Sequence, residues 1–309
     1  MTLMGRASVT GVGSSLPERV VENQYFADYL DTSDEWIRSR TGISRRHVGG
    51  TTAGHAAVAG ARAIAHAGVS AEDIDMMVLA TSTPDQLAPQ TSATVQDDLG
   101  LRCPAFDINV ACAGFVYAMA VAASLAGAHR RILVVGSEQL TRITDPKDRS
   151  TAILMADGAG AVVLERSDSD RDAVWADLGL DGSLRGALYA DHGGFIVMKG
   201  GEVFKHAVRL CTESVQRLLT EADVPIGSVS LFVPHQANQR IIEAIVAKLG
   251  LPPDRCVSIL EDTGNTSAAS IPLALDAAAR VGRVHSGDTM VFAGYGAGMA
   301  WGSLLVRWR

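Results

Sequence analysis

Two stretches of this chain, half its length apart, follow one plan. GVSAEDIDMMVLA (Gly68 to Ala80) and ADVPIGSVSLFVP (Ala222 to Pro234) each lead a polar turn into an apolar strand. Each half then closes on a strand, a Gly-containing turn and a second strand: VVGSE…DGAGAVVLE in the first and VFAGYGAGMAWGSLLV in the second. The spacing agrees too, since Leu79 to Cys112 is 112 − 79 = 33 positions and Phe232 to Asn265 is 265 − 232 = 33. Repetition of this kind restricts the fold more than local propensity does, because each copy buries its apolar face against its neighbour. The reading is a duplicated α/β chain with halves 1–168 and 169–309, divided in the polar stretch ERSDSDRD (Glu165 to Asp172). Cys112 and Asn265 then occupy matching places, each just before an Ala-rich helix, and pseudo-twofold packing brings both helix starts to one central site. Chance similarity of Ala/Gly-rich segments is the competing reading, and the equal spacing weighs against it.

The rest of the chain fits an α/β pattern. Strands are predicted at Met76–Thr81, Arg131–Gly136, Ala161–Glu165, Ser230–Pro234, Thr289–Gly294 and Ser303–Trp308. Helices are predicted at Thr52–Ala67, Ala113–Gly127, Glu202–Glu221, Asn238–Leu249 and Ala268–Arg280. A chain of 309 residues exceeds one comfortable core, which suits two packed halves. With 47% hydrophobic and 20% charged residues it has a globular composition, and a net charge of −7 argues against a general nucleic-acid-binding surface. Four cysteines show no C-x-x-C pair and no Cys/His cluster of metal-ligand spacing, so reduced thiols in a cytoplasmic protein are expected, with no metal. The N-terminus carries no signal pattern, and the apolar run Phe115 to Ala128 is too short to span a bilayer.

Cys112, in NVACAGFVYAM, lies between a strand-like run and a helix. A free cysteine is commonly just a small core residue. A helix start, however, offers unpaired N–H groups and a partial positive charge that favour thiolate over thiol, and the small residues Ala111, Ala113 and Gly114 leave room for a carbonyl. His235, in VPHQANQRI, follows an apolar strand, where α/β proteins place ligand-binding groups; Gln236, Asn238 and Arg240 beside it are polar. Asn265, in GNTSAAS, is read either as a helix cap or as a hydrogen-bond donor, roles that do not exclude each other. GYGAG (Gly294 to Gly298) lies between two strands, a poor dinucleotide fingerprint. It is better read as a tight turn, purely structural or with backbone N–H groups facing a substrate oxygen.

With these segments in hand the chain resembles the ketosynthase III enzymes of fatty acid synthesis, in the thiolase-like superfamily. The resemblance is carried in order by TSDEWIRSRTGISRR (Thr32 to Arg46), NVACAGFVYA (Asn109 to Ala118), TDPKDRST (Thr144 to Thr151), DGAGAVVLE, VPHQANQRI and GNTSAASIPLAL (Gly264 to Leu275). It implies a thiolase-like fold of duplicated βαβαβαββ halves in a layered αβαβα arrangement. It also implies a Cys112–His235–Asn265 triad, with oxyanion donors on the backbone of Cys112, Gly296 and Ala297. Trp36 and Arg149 are expected to hold the adenine of coenzyme A, with Arg40 and Asn238 nearby, and Lys205 and Arg240 to meet acyl carrier protein. The implied activity transfers an acyl group from acyl-CoA to Cys112 and condenses it with malonyl-acyl carrier protein. Coenzyme A thioester enters as substrate, no cofactor is needed, and the assembly is a homodimer.

Three departures bear on this. Ala297 takes a position where the family usually has Gly. The stretch Asp181 to Glu202 is shorter than in many relatives, near their acyl and pantetheine entrance. Ala88 stands where some relatives place a bulky aromatic that closes the acyl pocket across the dimer interface. The alternatives are a secondary-metabolism relative using an unusual acyl group, a plain thiolase, disfavoured because GYGAG lacks a second cysteine, and a silent dimerisation partner, disfavoured by the intact triad.

Overall fold

The computed structural model describes residues 2–309. Nine strands form its main sheet: β1 (Thr2–Ser15), β2 (Met76–Ala80), β3 (Ala105–Ile108), β4 (Arg131–Gln139), β5 (Asp157–Arg166), β6 (Ala173–Leu180), β7 (Leu231–Pro234), β8 (Thr289–Gly296) and β9 (Ala300–Trp308). Their order is β7-β8-β9-β6-β1-β5-β4-β2-β3. The pairing pattern occurs twice. On one side β2–β4 is parallel, β4–β5 antiparallel and β5–β1 antiparallel. On the other, β7–β8 is parallel, β8–β9 antiparallel and β9–β6 antiparallel. β1 joins the two sets, pairing antiparallel with β6 and parallel with β9. β2 and β8 are buried along their whole lengths, as the near-continuous apolar runs of strands covered on both faces require.

Six helices matter for the site: α1 (Asp34–Thr41), α2 (Thr52–His66), α3 (Gly114–Leu125), α4 (Gly200–Glu221), α5 (Gln239–Leu249) and α6 (Ser270–Arg280). Each predicted helix is present within a residue or two of its expected ends. The caps are local and polar: Ser33 accepts from Trp36 N, Thr51 from Gly54 N and Asn238 from Arg240 N, which satisfies first-turn donors. α3 and α6 are different, being apolar nearly all round and buried, with Phe115, Met119, Ile271 and Leu275 at most 1% exposed. A helix with no polar face belongs inside. Their small residues let them approach each other, and a Cβ placed on Gly114 would sit 3.5 Å from that of Ala268.

Both buried helices begin in the same way. A 3-10 turn precedes each, Ala111–Ala113 before α3 and Ser267–Ala269 before α6. Both turns open on a non-glycine residue at positive φ, Ala111 at 45° and Ser267 at 49°. In each the side chain of an asparagine two residues back accepts the backbone N–H: Asn109 from Ala111 at 3.2 Å and Asn265 from Ser267 at 2.9 Å. The counterpart of Asn265 is therefore Asn109, and that of Cys112 is Ala268. The equal spacing of 33 does not mark equal positions. β3 runs straight into Asn109, whereas a helical turn, Leu260–Thr263, precedes Gly264 and Asn265.

Candidate active site

The two 3-10 turns and the end of β7 meet at a cavity of about 280 Å³, whose lining includes Cys112, His235, Asn265, Ala297 and Asn238. The sequence places Cys112 more than a hundred residues from His235 and Asn265, and the sheet brings the three together.

Cys112 sits in the middle of its turn, pressed against the β8–β9 hairpin. A Cβ on Gly296 would lie 2.7 Å from the Cys112 amide nitrogen, so only glycine lets the hairpin backbone come this close. Ala297 lines the cavity and is not among the positive-φ residues; Gly298 at 72° and Met299 at 50° take those positions. Alanine in place of the family's glycine thus keeps its N–H without strain. Burial acts against the thiolate that a helix start is expected to favour. Burial pushes the Cys112 thiol up to about 12, with Glu138 adding to the rise and Ser267 opposing it. The helix proper starts at Gly114, and its first-turn N–H groups act on the sulfur in the sense opposite to burial.

His235 is 2% exposed, and burial pushes its imidazole down to about 3. Its backbone N–H donates to Ala293 O at 2.8 Å, and its ring meets the Tyr295 ring edge-on at 5.2 Å. Its Nδ1 lies 2.7 Å from Ser270 Oγ, which also accepts from Gln236 N at 3.2 Å. Because Ser270 Oγ already accepts from Gln236 N, we assign its hydroxyl as the donor to His235 Nδ1, which places the ring proton on Nε2. His235 is therefore a neutral donor. Asn265 is not the cap of α6, as its sequence setting allowed; Ala269 is. Because Asn265 Oδ1 is taken by Ser267 N, its amide NH₂ is left to the cavity as a second donor. Ser270, Ser267, Glu138 and Tyr295 were not singled out from the sequence, because nothing local marks a buried hydroxyl or carboxyl as adjacent to a distant cysteine.

Outside the cavity, the Arg149 guanidinium lies over the Trp36 ring at 4.7 Å, a cation–π pair whose planar faces suit stacking of a base. Asn238 Nδ2 donates to Arg40 O at 2.9 Å, linking α1 to the mouth. Lys205 and Arg240 are exposed on α4 and α5, with Arg240 over Phe204 at 5.7 Å. The short Asp181–Glu202 stretch folds into a hairpin, Leu188–Tyr189 against Val197–Met198, that walls the cavity with Leu188, Tyr189 and Met198. Ala88 is exposed beside Leu87, itself 95% exposed, and neither lines the cavity of its own chain.

The pattern defining 3-Oxoacyl-[acyl-carrier-protein (ACP)] synthase III matches residues 106–182, and its C-terminal partner pattern matches residues 219–308. The chain belongs to this family. It is 48% identical to the beta-ketoacyl-[acyl-carrier-protein] synthase III of Rhodobacter capsulatus, covering 98% of this chain and 99% of that one. Its fold superposes on the crystal structure of the 3-oxoacyl-[acyl-carrier-protein] synthase III of Aquifex aeolicus VF5 with a TM-score of 0.95 at 42% identity, over 98% of this chain and 100% of the other. The corresponding enzyme of Pseudomonas aeruginosa PAO1 gives 0.93 at 42% identity, over 98% of each. The fold is accordingly thiolase-like and the family one of condensing acyltransferases, which sets the plain thiolase aside. Among the described residues no helix is long and apolar enough to cross a membrane.

Proposed function

We propose that this chain initiates fatty acid synthesis, taking an acyl group from acyl-CoA onto Cys112 and condensing it with malonyl-acyl carrier protein. The observation that carries the reading is that the His235 imidazole and the Asn265 amide, each able to present an N–H donor, line one cavity with Cys112. Cys112 Sγ attacks the acyl thioester carbonyl, the backbone at Cys112, Gly296 and Ala297 stabilises the oxyanion, and coenzyme A leaves. Loss of carbon dioxide from the malonyl thioester then develops enolate charge on its carbonyl oxygen, which His235 and Asn265 stabilise. The carbanion attacks the acyl-cysteine and releases a β-ketoacyl product.

In this scheme the adenine stacks at Trp36 and Arg149, Arg40 and Asn238 line the coenzyme A path, and Lys205 and Arg240 meet the acidic carrier. No cofactor takes part, and the enzyme works as a cytoplasmic homodimer, whose duplicated halves are 1–168 and 169–309. Intact-mass spectra after incubation with acetyl-, isobutyryl- or hexanoyl-CoA test it. An acyl adduct forms on the wild type and is absent from Cys112→Ala; an adduct of full stoichiometry on Cys112→Ala refutes the assignment.

A further inference from the structure

The twin asparagines that brace the two 3-10 turns are held in different ways. Asn109 follows directly on β3, whose residues Ala105 to Ile108 pair one by one with β2. Asn265 has no strand leading into it, because the helical turn Leu260–Thr263 ends at Gly264. Its sheet-like support is an isolated parallel bridge to Met155. There the Asn265 N–H donates to Leu154 O and its carbonyl accepts from Ala156 N, each at 2.9 Å. The place of the Asn265 amide in the cavity is therefore set by the irregular segment 153–156, where the other half uses a strand.

That segment is pinned by Arg46, a fully buried residue of the short strand Arg45–His47. Its Nε donates to Ile153 O at 2.9 Å, and one terminal nitrogen donates to the same oxygen. The other terminal nitrogen donates to Asn23 Oδ1 at 2.5 Å, and the guanidinium lies over the Phe26 ring at 4.8 Å. Asn23 is fixed in turn, donating to Asp34 Oδ1 at 2.7 Å and to Ile43 O at 2.8 Å. The stem of Arg46 also walls the residue before Asn265. Gly264 has φ 68°, and a Cβ on it would lie 2.8 Å from Arg46 Cγ, 3.1 Å from Ala156 Cβ and 3.2 Å from Leu154 O. Gly264 is thus wedged between Arg46 and the segment that brackets Asn265. Burying a cation whose counter-charge, Asp34, is reached through Asn23 costs stability, and an apolar side chain of similar size would fill this space at less cost. What an apolar chain lacks is a rigid fork with two N–H donors on one carbonyl.

We propose that Arg46 is the positioning residue for the Asn265 donor: by fixing the Ile153 carbonyl and walling Gly264, it holds the Asn265 amide at the cavity for the decarboxylation step. This rests on the reading that Asn265 stabilises the enolate. Arg46 touches no reacting atom and acts through the backbone of Asn265. Without the fork, the segment 153–156 and Gly264 gain freedom, and the amide leaves the narrow range of positions in which a donor stabilises developing charge. Cys112 lies on the other 3-10 turn, braced by Asn109 at the end of β3, so acyl transfer does not depend on the clamp.

The test measures two rates side by side: carbon dioxide release from malonyl-acyl carrier protein, and single-turnover acylation of Cys112 by acetyl-CoA. The proteins are wild type, Arg46→Met, Arg46→Lys, Asn265→Ala and each Arg46 variant combined with Asn265→Ala, with thermal midpoints alongside. Arg46→Met lowers kcat for carbon dioxide release by about 10- to 100-fold, the scale of a displaced catalytic group. KM and the acylation rate stay within about threefold of wild type, and Arg46→Lys, which keeps the charge and a single donor, falls between. In the Asn265→Ala background the Arg46 substitutions cost less than about twofold more, because the group they position is gone. Carbon dioxide release at the wild-type rate in Arg46→Met overturns the proposal. So does an equal loss of both half-reactions, or the same fold-loss with and without Asn265, since either marks general support of the fold. Should Arg46→Met not fold, Arg46→Lys is judged by the same comparisons. Wild-type carbon dioxide release in Asn265→Ala alone instead refutes the underlying reading.

Discussion

Asn265→Asp is the sharpest perturbation of the condensing step because it changes chemistry and leaves shape intact. Asn265 is 6% exposed, and its Oδ1 accepts from Ser267 N at 2.9 Å, a bond that an aspartate oxygen keeps. What disappears is the NH₂ donor, replaced by an acceptor facing the developing enolate. A pre-organised donor in such a site contributes about 3 kcal/mol, or 10²- to 10³-fold. A carboxyl buried here is raised by desolvation, as Glu138 and Asp157 are. It therefore protonates as pH falls, and its O–H then restores a donor. Decarboxylation of a malonyl thioester should fall by about 100-fold or more near pH 8 and recover as pH is lowered toward about 5. His235 adds no inflection in that window, because its imidazole is pushed down to about 3 and stays neutral above it. Cys112 acylation, whose proposed oxyanion donors lie on the backbone, should persist. Carbon dioxide release and acyl adduct are measured separately across pH. Decarboxylation within about tenfold of wild type near pH 8 would refute the donor role, and so would an equal loss of both steps without recovery on acidification.

Gly296→Ala puts a Cβ 2.7 Å from Cys112 N, a clash against backbone that no rotamer relieves, so it should both destabilise the chain and abolish acylation; thermal midpoint and intact mass read the two effects. Lys205→Glu and Arg240→Glu should weaken turnover with malonyl-acyl carrier protein while sparing acylation by acyl-CoA, with a defect that grows at low ionic strength; unchanged kinetics at low salt would point to free malonyl-CoA as extender. Ala88→Phe should shift primer preference from hexanoyl- or isobutyryl-CoA toward acetyl-CoA in relative kcat/KM, since each buried CH₂ contributes about 0.8 kcal/mol; a strong acetyl preference in wild type with a neutral Ala88→Phe would show that another group closes the pocket.

Much of the architecture was legible because it rests on local periodicity. Buried strands such as Met76–Ala80 read as apolar runs, and the five helices announced themselves by length, caps and Ala content. What escaped was of two kinds. The long β1 and the strand Ala173–Leu180, with burial that alternates only in part, carry a weak pattern and form because neighbouring strands hold them. The match of Cys112 with Asn265 failed by three residues, because counting along a chain cannot see the helical turn Leu260–Thr263.

By itself the sequence determined the duplication, the α/β class and, through short segments spread over the chain, the family and the three groups at its centre. Those follow from composition and order, which a linear chain records. The protonation states were decided only in three dimensions. His235 stays neutral because folding strips its ring of water, and burial raises the Cys112 thiol in the same way. The Ser270 hydroxyl meets His235 Nδ1 across a gap of 35 residues, leaving Nε2 for the cavity. Desolvation and contact are properties of the packed interior, and no residue carries them until its distant neighbours arrive.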